Sequence, residues 1–449
     1  MTQDTLLPFG DNSSGLPINH IIPPSHDDRS TESLSYGMIQ KVRGLKSSYP
    51  DTFDYGVYDR IQNRYGKDGI RGGLIFKSPW KLVNSHSSCR KCHYAFEVDT
   101  YGRGCLHNCT YCYAKELLTR RAYWNEPVPA PLDISEVRKL FWTIFETDKS
   151  HPWREVIERR VPVRMGSMSD SFMWIDKKYK ITKEFLKILT YYRYPSVIFT
   201  RSDLVADEEY MDVMDPKITS VQFSISGINE RLNKLIEPGA PLAMNRLKAL
   251  KTLSERGFLT AVRINPLFPM YPDGYFSDPE FKKEGAPHLD FFSWDLIDAI
   301  AEHKVNTVLA GVVRLAPAAL KKFSLAAGID YSTFFKPELY KEKGDKHFSD
   351  QEIGYYYNEI HRRCKQLNLS FTTCYIGNGE KDYFQYQSLW KDKKDCCNIK
   401  SILPAFKTTS QQIPLDVRIK HASNTAKACS DFMKDTEGIP TTWNDAPNS

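Results

Sequence analysis

Between residues 94 and 375 short apolar runs alternate with amphipathic ones, and this alternation limits the fold more than any other feature. Runs at 94–100, 161–166, 196–200, 220–226, 259–267, 307–315 and 369–375 read as strands. Runs at 114–124, 182–192, 208–214, 242–256, 294–303 and 351–366 read as helices, and Gly257 stops the helix before it. Strands that are short and nearly continuously apolar are buried on both faces. Interleaved with helices, they pair in parallel through right-handed crossovers. About six or seven such units build a partial or full βα-barrel, whose chemistry gathers in loops at the C-terminal ends of the strands.

The first of those loops reads Tyr-Gly-Arg-Gly-Cys-Leu-His-Asn-Cys-Thr-Tyr-Cys-Tyr-Ala and carries Cys105, Cys109 and Cys112 as a C-x3-C-x2-C triplet. Three thiolates on one short loop can hold a metal cluster. A [4Fe–4S] cube normally takes four, so one iron would stay open to an exchangeable ligand. Gly102 and Gly104 give the loop the freedom to turn tightly around such a cube. A competing reading pairs Cys89-x2-Cys92 with Cys109-x2-Cys112 as a zinc ribbon, a non-catalytic binding module. It leaves Cys105 idle.

The chain has 10 cysteines, five up to Cys112 and five from Cys364 onward. The N-terminus lacks a basic start followed by an apolar run, so a secretory signal is not expected and metal or redox chemistry is favoured over disulfides. No run of 18 apolar residues indicates a membrane span, and the expected compartment is the cytoplasm. A net charge of +6 over 449 residues permits a polyanionic partner without arguing for one. The basic stretches 154–164 and 177–183 read as solvated helix faces, and Tyr355-Tyr356-Tyr357 as helix packing. No G-x-x-x-x-G-K-[ST] loop and no internal repeat occurs. His107 has either a local role in the cysteine loop or a place on its surface.

With its cysteine loop after the first strand, the chain resembles the radical S-adenosylmethionine (SAM) superfamily. Residues 104–114 are similar to the signature of its spore photoproduct lyase-like ("DNA repair photolyase") branch. So are Met165-Gly166-Ser167-Met168-Ser169-Asp170, Phe199-Thr200-Arg201-Ser202 and Phe223-Ser224-Ile225-Ser226. Leu235-Ile236-Glu237-Pro238-Gly239-Ala240-Pro241, followed by Arg246-Leu247, completes the match. The resemblance spans about residues 95–320 and implies an α/β fold, a partial (β/α)6-type TIM barrel of the radical SAM type. It implies a [4Fe–4S] cluster on Cys105, Cys109 and Cys112, with SAM on the open iron. It further implies reductive cleavage of SAM to a 5′-deoxyadenosyl radical that abstracts a substrate hydrogen, with flavodoxin or ferredoxin as electron donor.

Carried over by position, Tyr111 would cover the adenine side, and Gly166, Ser167 and Asp170 would lie near the methionine moiety. Ser224 and Ser226 would bond the ribose or carboxylate, and Arg263 and Asn265 the carboxylate or adenine. Each of these polar side chains also has a plain reading, the satisfaction of nearby backbone groups at strand ends. Spore photoproduct lyases proper use a mid-barrel cysteine to return hydrogen, yet no cysteine lies between Cys112 and Cys364. Cys374, ending a strand on the catalytic face, is the candidate catalytic thiol. Cys89, Cys92, Cys374, Cys396 and Cys397 are candidates for a second iron–sulfur cluster or zinc, or for buried small hydrophobes.

The expected organisation is a disordered leader (1–35), an N-terminal extension (36–93), the core barrel (94–320), a C-terminal α/β segment (321–403) and a polar tail (404–449). The resemblance suggests a nucleic acid or nucleotide substrate for lyase-like chemistry. The alternative enzyme is a maturase of a peptide or small molecule with an auxiliary cluster.

Overall fold

The computed structural model describes residues 81–82, 96–102, 104–120, 129–132, 134–151, 154–158, 162–270, 290–335, 348–374, 386–390 and 396–399. The expected leader, the tail, Cys89, Cys92, Cys429 and all of the N-terminal extension save Lys81–Leu82 lie outside them.

Eight strands form one sheet in chain order: β1 (Lys81–Leu82), β2 (Phe96–Val98), β3 (Val163–Met165), β4 (Ser196–Thr200), β5 (Thr219–Ser224), β6 (Leu259–Leu267), β7 (Thr307–Val312) and β8 (Ser370–Thr373). β1 pairs antiparallel with β2, and every later pairing is parallel. Among the described residues β8 does not pair back to β1 or β2, so the sheet is open, a partial barrel. From β2 to β8 the strands are parallel and laid down in chain order, the arrangement expected from the sequence. β8 belongs to this sheet, which therefore runs on past residue 320.

The two sheet faces carry different side chains, as the two-residue period of a strand requires. Val98, Met165, Ile198, Val221, Phe223, Val262, Ile264 and Val308 face the helices and join the large core. Val197, Phe199, Leu259 and Leu309 face the other way and pack with Trp390, Cys396, Cys397 and Ile399. The C-terminal segment thus fills the concave side. Trp390 Nε1 donates to Thr373 Oγ1 (2.8 Å), and Asn398 Nδ2 donates to Thr307 Oγ1 (2.9 Å).

Among the described residues the helices of seven residues or more are α1 (Tyr113–Arg120), α2 (Ile134–Phe145), α3 (Ile181–Tyr191), α4 (Glu230–Ile236), α5 (Ala243–Glu255), α6 (Asp295–Glu302), α7 (Pro317–Ala327) and α8 (Asp350–Gln366). α3 buries Ile181, Phe185, Leu186, Ile188 and Leu189, each worth about 1.5–3 kcal/mol of apolar burial. α2, α4 and α7 go beyond the sequence reading. α2 shows its helical spacing plainly at Ile134, Val137, Leu140, Phe141 and Ile144, all buried. α7 begins on Pro317 and ends at Gly328, whose φ of 68° is the left-handed stop glycine supplies. Among the described residues no helix is long and apolar enough to cross a membrane.

Candidate functional site

The cysteine loop leaves the C-terminal end of β2 and enters α1. Two consecutive tight turns shape it: Asn108 N donates to Cys105 O and Cys112 N donates to Cys109 O, both at 3.2 Å. Asn108 takes a φ of 46°, a left-handed position that asparagine tolerates better than most residues. Folding the loop twice turns a run of eight residues into a hub from which three thiols project. Cys109 is buried, and Cys105 and Cys112 are half-buried.

The segment after α4 grips this hub. Thr110 N donates to Ile236 O (2.9 Å) and Gly239 N to His107 O (3.1 Å). His107 Nδ1 lies 2.9 Å from Gly239 O, while its Nε2 lies 3.0 Å from Asp170 Oδ2. At 2% exposure His107 is buried and not on the loop surface, its ring lying between the Gly239 carbonyl and the Asp170 carboxylate. A side chain at Gly239 would collide with the Leu106 carbonyl oxygen, so only glycine lets the two segments approach this closely. The run Leu235–Pro241 is therefore a clamp on the cysteine loop.

Charge locks the clamp. Glu237, 1% exposed, accepts from the Tyr111 hydroxyl and pairs with Arg246, also 1% exposed. Arg201 approaches the same carboxylate with its Nε at 3.5 Å and the Tyr111 hydroxyl with its Nη2 at 3.4 Å. Arg246 is further fixed on Pro241 O (2.8 Å) and Ser224 O (3.0 Å). Burial pushes the Glu237 carboxyl up, but the two arginines outweigh it and hold it below the usual carboxylate range. Glu237, Arg201 and Arg246 stand within the sequence motifs, but the motifs alone show no role for them, since their partnership joins positions distant along the chain.

Tyr111, expected over an adenine, is 6% exposed. Its ring packs edge-on to Phe268 (5.3 Å) and Phe323 (6.0 Å), so it anchors the loop in the core. Asp170, expected beside a methionine moiety, has its carboxylate taken by Thr200 Oγ1 (2.8 Å), Phe172 N (2.9 Å), Arg201 N (2.6 Å) and His107. Burial opposes ionisation there, and His107 with the backbone donors overcomes it, so the pKa lies below the ordinary value. Both side chains brace the hub.

The remaining expected residues line the strand ends. Gly166 has a φ of 78°, and a Cβ there would strike the Phe199 carbonyl. The hydroxyls of Ser167 and Ser226 are buried and have no hydrogen-bond partner among the described residues. Ser224 pairs in register with Arg263 on the neighbouring strand. The irregularity in β6 between Ile264 and Leu267 holds Asn265 against Gly311, where a Cβ would come within 2.8 Å of the amide. Cys374 N donates to Ala310 O (2.8 Å), which puts this thiol just past the end of β8.

The three loop thiols fit an iron–sulfur cluster. Burial pushes Cys105 up to about 12, reinforced by Asp170 and by charge on Cys112. Burial likewise raises Cys109, with Glu237 and the other two thiols adding to the rise and Arg201 opposing it. The thiols are thus close enough to repel as thiolates, and a bound cationic cluster reverses that repulsion. No three His, Cys, Asp or Glu side chains among the described residues are spaced to hold a single metal ion. A cube places its thiolates on separate irons, farther apart than the ligands of one ion. Soft thiolates gathered on one strand-end loop suit an iron–sulfur cluster.

No family model matches the chain. An uncharacterized protein of Methanocaldococcus jannaschii is 28% identical over 210 residues, 46% of this chain and 72% of the relative. An uncharacterized protein of Acidianus two-tailed virus is 26% identical over 226 residues, 49% of this chain and 71% of the relative. Among solved structures, a spore photoproduct lyase with bound AdoMet and dinucleoside spore photoproduct aligns at 14% identity with a TM-score of 0.45, covering 66% of this chain and 79% of that one. Another structure of that lyase gives a TM-score of 0.48 at 14% identity, covering 78% and 96%. The radical S-adenosylmethionine methyltransferase TsrM from Kitasatospora setae, with tryptophan and a SAM analogue, gives 0.36 at 13% identity, covering 60% and 51%. The solved structures to which this chain is similar thus include radical SAM enzymes, spore photoproduct lyase among them.

Proposed function

We propose that the chain is a radical SAM enzyme, with Cys105, Cys109 and Cys112 holding a [4Fe–4S] cluster. The observation that carries this reading is the doubly turned cysteine loop at a parallel-strand end, clamped by Ile236–Gly239. When bound, the cluster supplies the electron for reductive cleavage of SAM, and the resulting radical abstracts a substrate hydrogen. The chain's own residues position the parts. Tyr111, Asp170 and His107 hold the loop rigid, and Glu237 ties it to α4 and α5. Ser167, Ser226, Ser224 and Asn265, with the backbone at Gly166, face SAM. Arg201 sets a positive charge beside the Cys109 thiolate. Cys374, at the same end of the sheet, is the candidate hydrogen donor. Flavodoxin or ferredoxin would deliver the electron.

The substrate we propose is a nucleic acid or nucleotide, supported by the sequence resemblance to the photolyase-like branch and compatible with a net charge of +6. A second reading, a peptide or small-molecule maturase with an auxiliary cluster, draws on Cys374, Cys396 and Cys397, which pack in the same apolar cluster as Val197, Phe199 and Leu309 on the concave face.

Anaerobic reconstitution tests both readings. A radical SAM enzyme with one cube takes up about four irons per chain and releases 5′-deoxyadenosine from SAM under dithionite. Cys105→Ala should lose both properties. About eight irons would support the auxiliary cluster. Zinc uptake without iron, indifferent to Cys105, would establish the ribbon instead.

A further inference from the structure

The concave face of the sheet holds a buried positive charge that the clamp does not use. Arg263, in the middle of β6, is 8% exposed. Its Nη1 donates to Gln222 Oε1 (2.9 Å), and its guanidinium stacks 4.1 Å from the Phe199 ring centre. Its Nη2 lies 3.8 Å from Cys374 Sγ, a weak acceptor. Among the described residues two arginines are more than nine-tenths buried, Arg246 and Arg263. Arg246 is matched by Glu237, as the less buried Arg164 is by Glu97 at 3.1 Å. No carboxylate among the described residues pairs with Arg263. An amide oxygen and an aromatic face soften the burial of a cation, but neither neutralises it.

The position of this charge suits a ligand. Phe199 lies two residues before Arg201, which touches the cysteine loop, and Gln222 lies two residues before Ser224. Arg263 itself pairs in register with Ser224, the last residue of β5, and its guanidinium reaches back to Gln222 on one side and stands beside Cys374 on the other, at the inner side of the strand ends. Beneath it the C-terminal segment closes the face: Gln222 Nε2 donates to Cys397 O (3.4 Å), and Ile399 packs with Val197, Leu259 and Leu309.

We propose that Arg263 receives an oxyanion of the substrate, a phosphate or a carboxylate, on the guanidinium N–H donors that Gln222 and Cys374 leave over. The proposal rests on the radical SAM reading for the location of the reacting centre. It assigns Arg263 to the substrate rather than to SAM, because the guanidinium stands beside Cys374, the candidate hydrogen donor, and leans inward to Gln222. The substrate is thus an anion held beside Cys374, its reacting carbon directed toward the cysteine loop.

The test uses the full chain, anaerobically reconstituted, in calorimetric titrations at fixed ionic strength. Thymidine 5′-monophosphate supplies a phosphate, N-acetylglutamate a carboxylate, and thymidine an uncharged control. Wild type should bind one charged probe, the tighter one identifying the anion. Arg263→Gln should weaken that probe roughly ten- to hundredfold and leave thymidine and SAM unchanged. Unchanged probe affinity in the variant, no charged probe bound by wild type, or lost SAM affinity with the probe unaffected would each overturn the proposal. If Arg263→Gln does not fold, Arg263→Lys keeps the charge without the fork and should still bind several-fold more weakly; equal binding overturns the proposal. Failure of the radical SAM reading is read separately, as no 5′-deoxyadenosine from a wild type that still binds the probe.

Discussion

Replacing Glu237 with glutamine removes the one carboxylate that serves Arg246, Arg201 and Tyr111 together. Arg246 cannot escape to water, since it is 1% exposed and tethered to the Ser224 and Pro241 carbonyls. Its charge is then buried without a partner, a defect that typically costs about 3–5 kcal/mol. Glutamine keeps one acceptor oxygen, which places the expected loss near the low end, about 3 kcal/mol. With a urea slope of about 3 kcal/mol/M for a chain this large, the denaturation midpoint should fall by about 1 M. The pairing of Glu237→Leu with Arg246→Met should recover most of that loss, because apolar replacement of a whole buried pair is often neutral. A folded Glu237→Gln variant within about 0.5 kcal/mol of wild type would refute the argument. So would a double variant no more stable than the single one.

Other outcomes follow from the same geometry. Gly239→Ala should force the clamp off the Leu106 carbonyl, lowering stability by about 1–3 kcal/mol. It should also cut iron uptake on reconstitution while the far-ultraviolet circular dichroism stays unchanged. On α8, hydrogen bonds from Arg362 and then Arg363 hold the Glu359 carboxyl down to about 2. A depressed carboxyl contributes stability above the ordinary range and loses it as the pH falls toward 2. Urea midpoints between pH 5 and pH 2 should therefore fall less steeply for Glu359→Gln than for wild type, by a small amount because the pair is partly solvated.

Much of the architecture is local and could be read before folding. β4 and β6 fall at their expected bounds, and α3 and α5 within a residue of theirs, because apolar periodicity is a property of neighbouring residues. The tyrosine run of α8 is packing, as read: Tyr356 and Tyr357 are buried, and their hydroxyls accept from Met270 N (2.8 Å) and Val312 N (3.3 Å). In the stretch 177–183, Lys177, Lys180 and Lys183 are paired with Asp207 and Glu209.

The sequence by itself determined the parallel sheet and the loop that brings three thiols within one turn of each other. Both are short-range: strand length and alternation fix the first, and C-x3-C-x2-C spacing fixes the second. Tertiary structure alone decided what holds that loop and what faces it. Glu237 meets Tyr111 across 126 residues, His107 meets Gly239 across 132, and Cys374 comes beside Arg263 across 111. Such contacts depend on which strands become neighbours and on which way each side chain points from the sheet. An arginine's charge is legible in the sequence, whereas its burial and the groups it meets become legible only once the chain has closed around it.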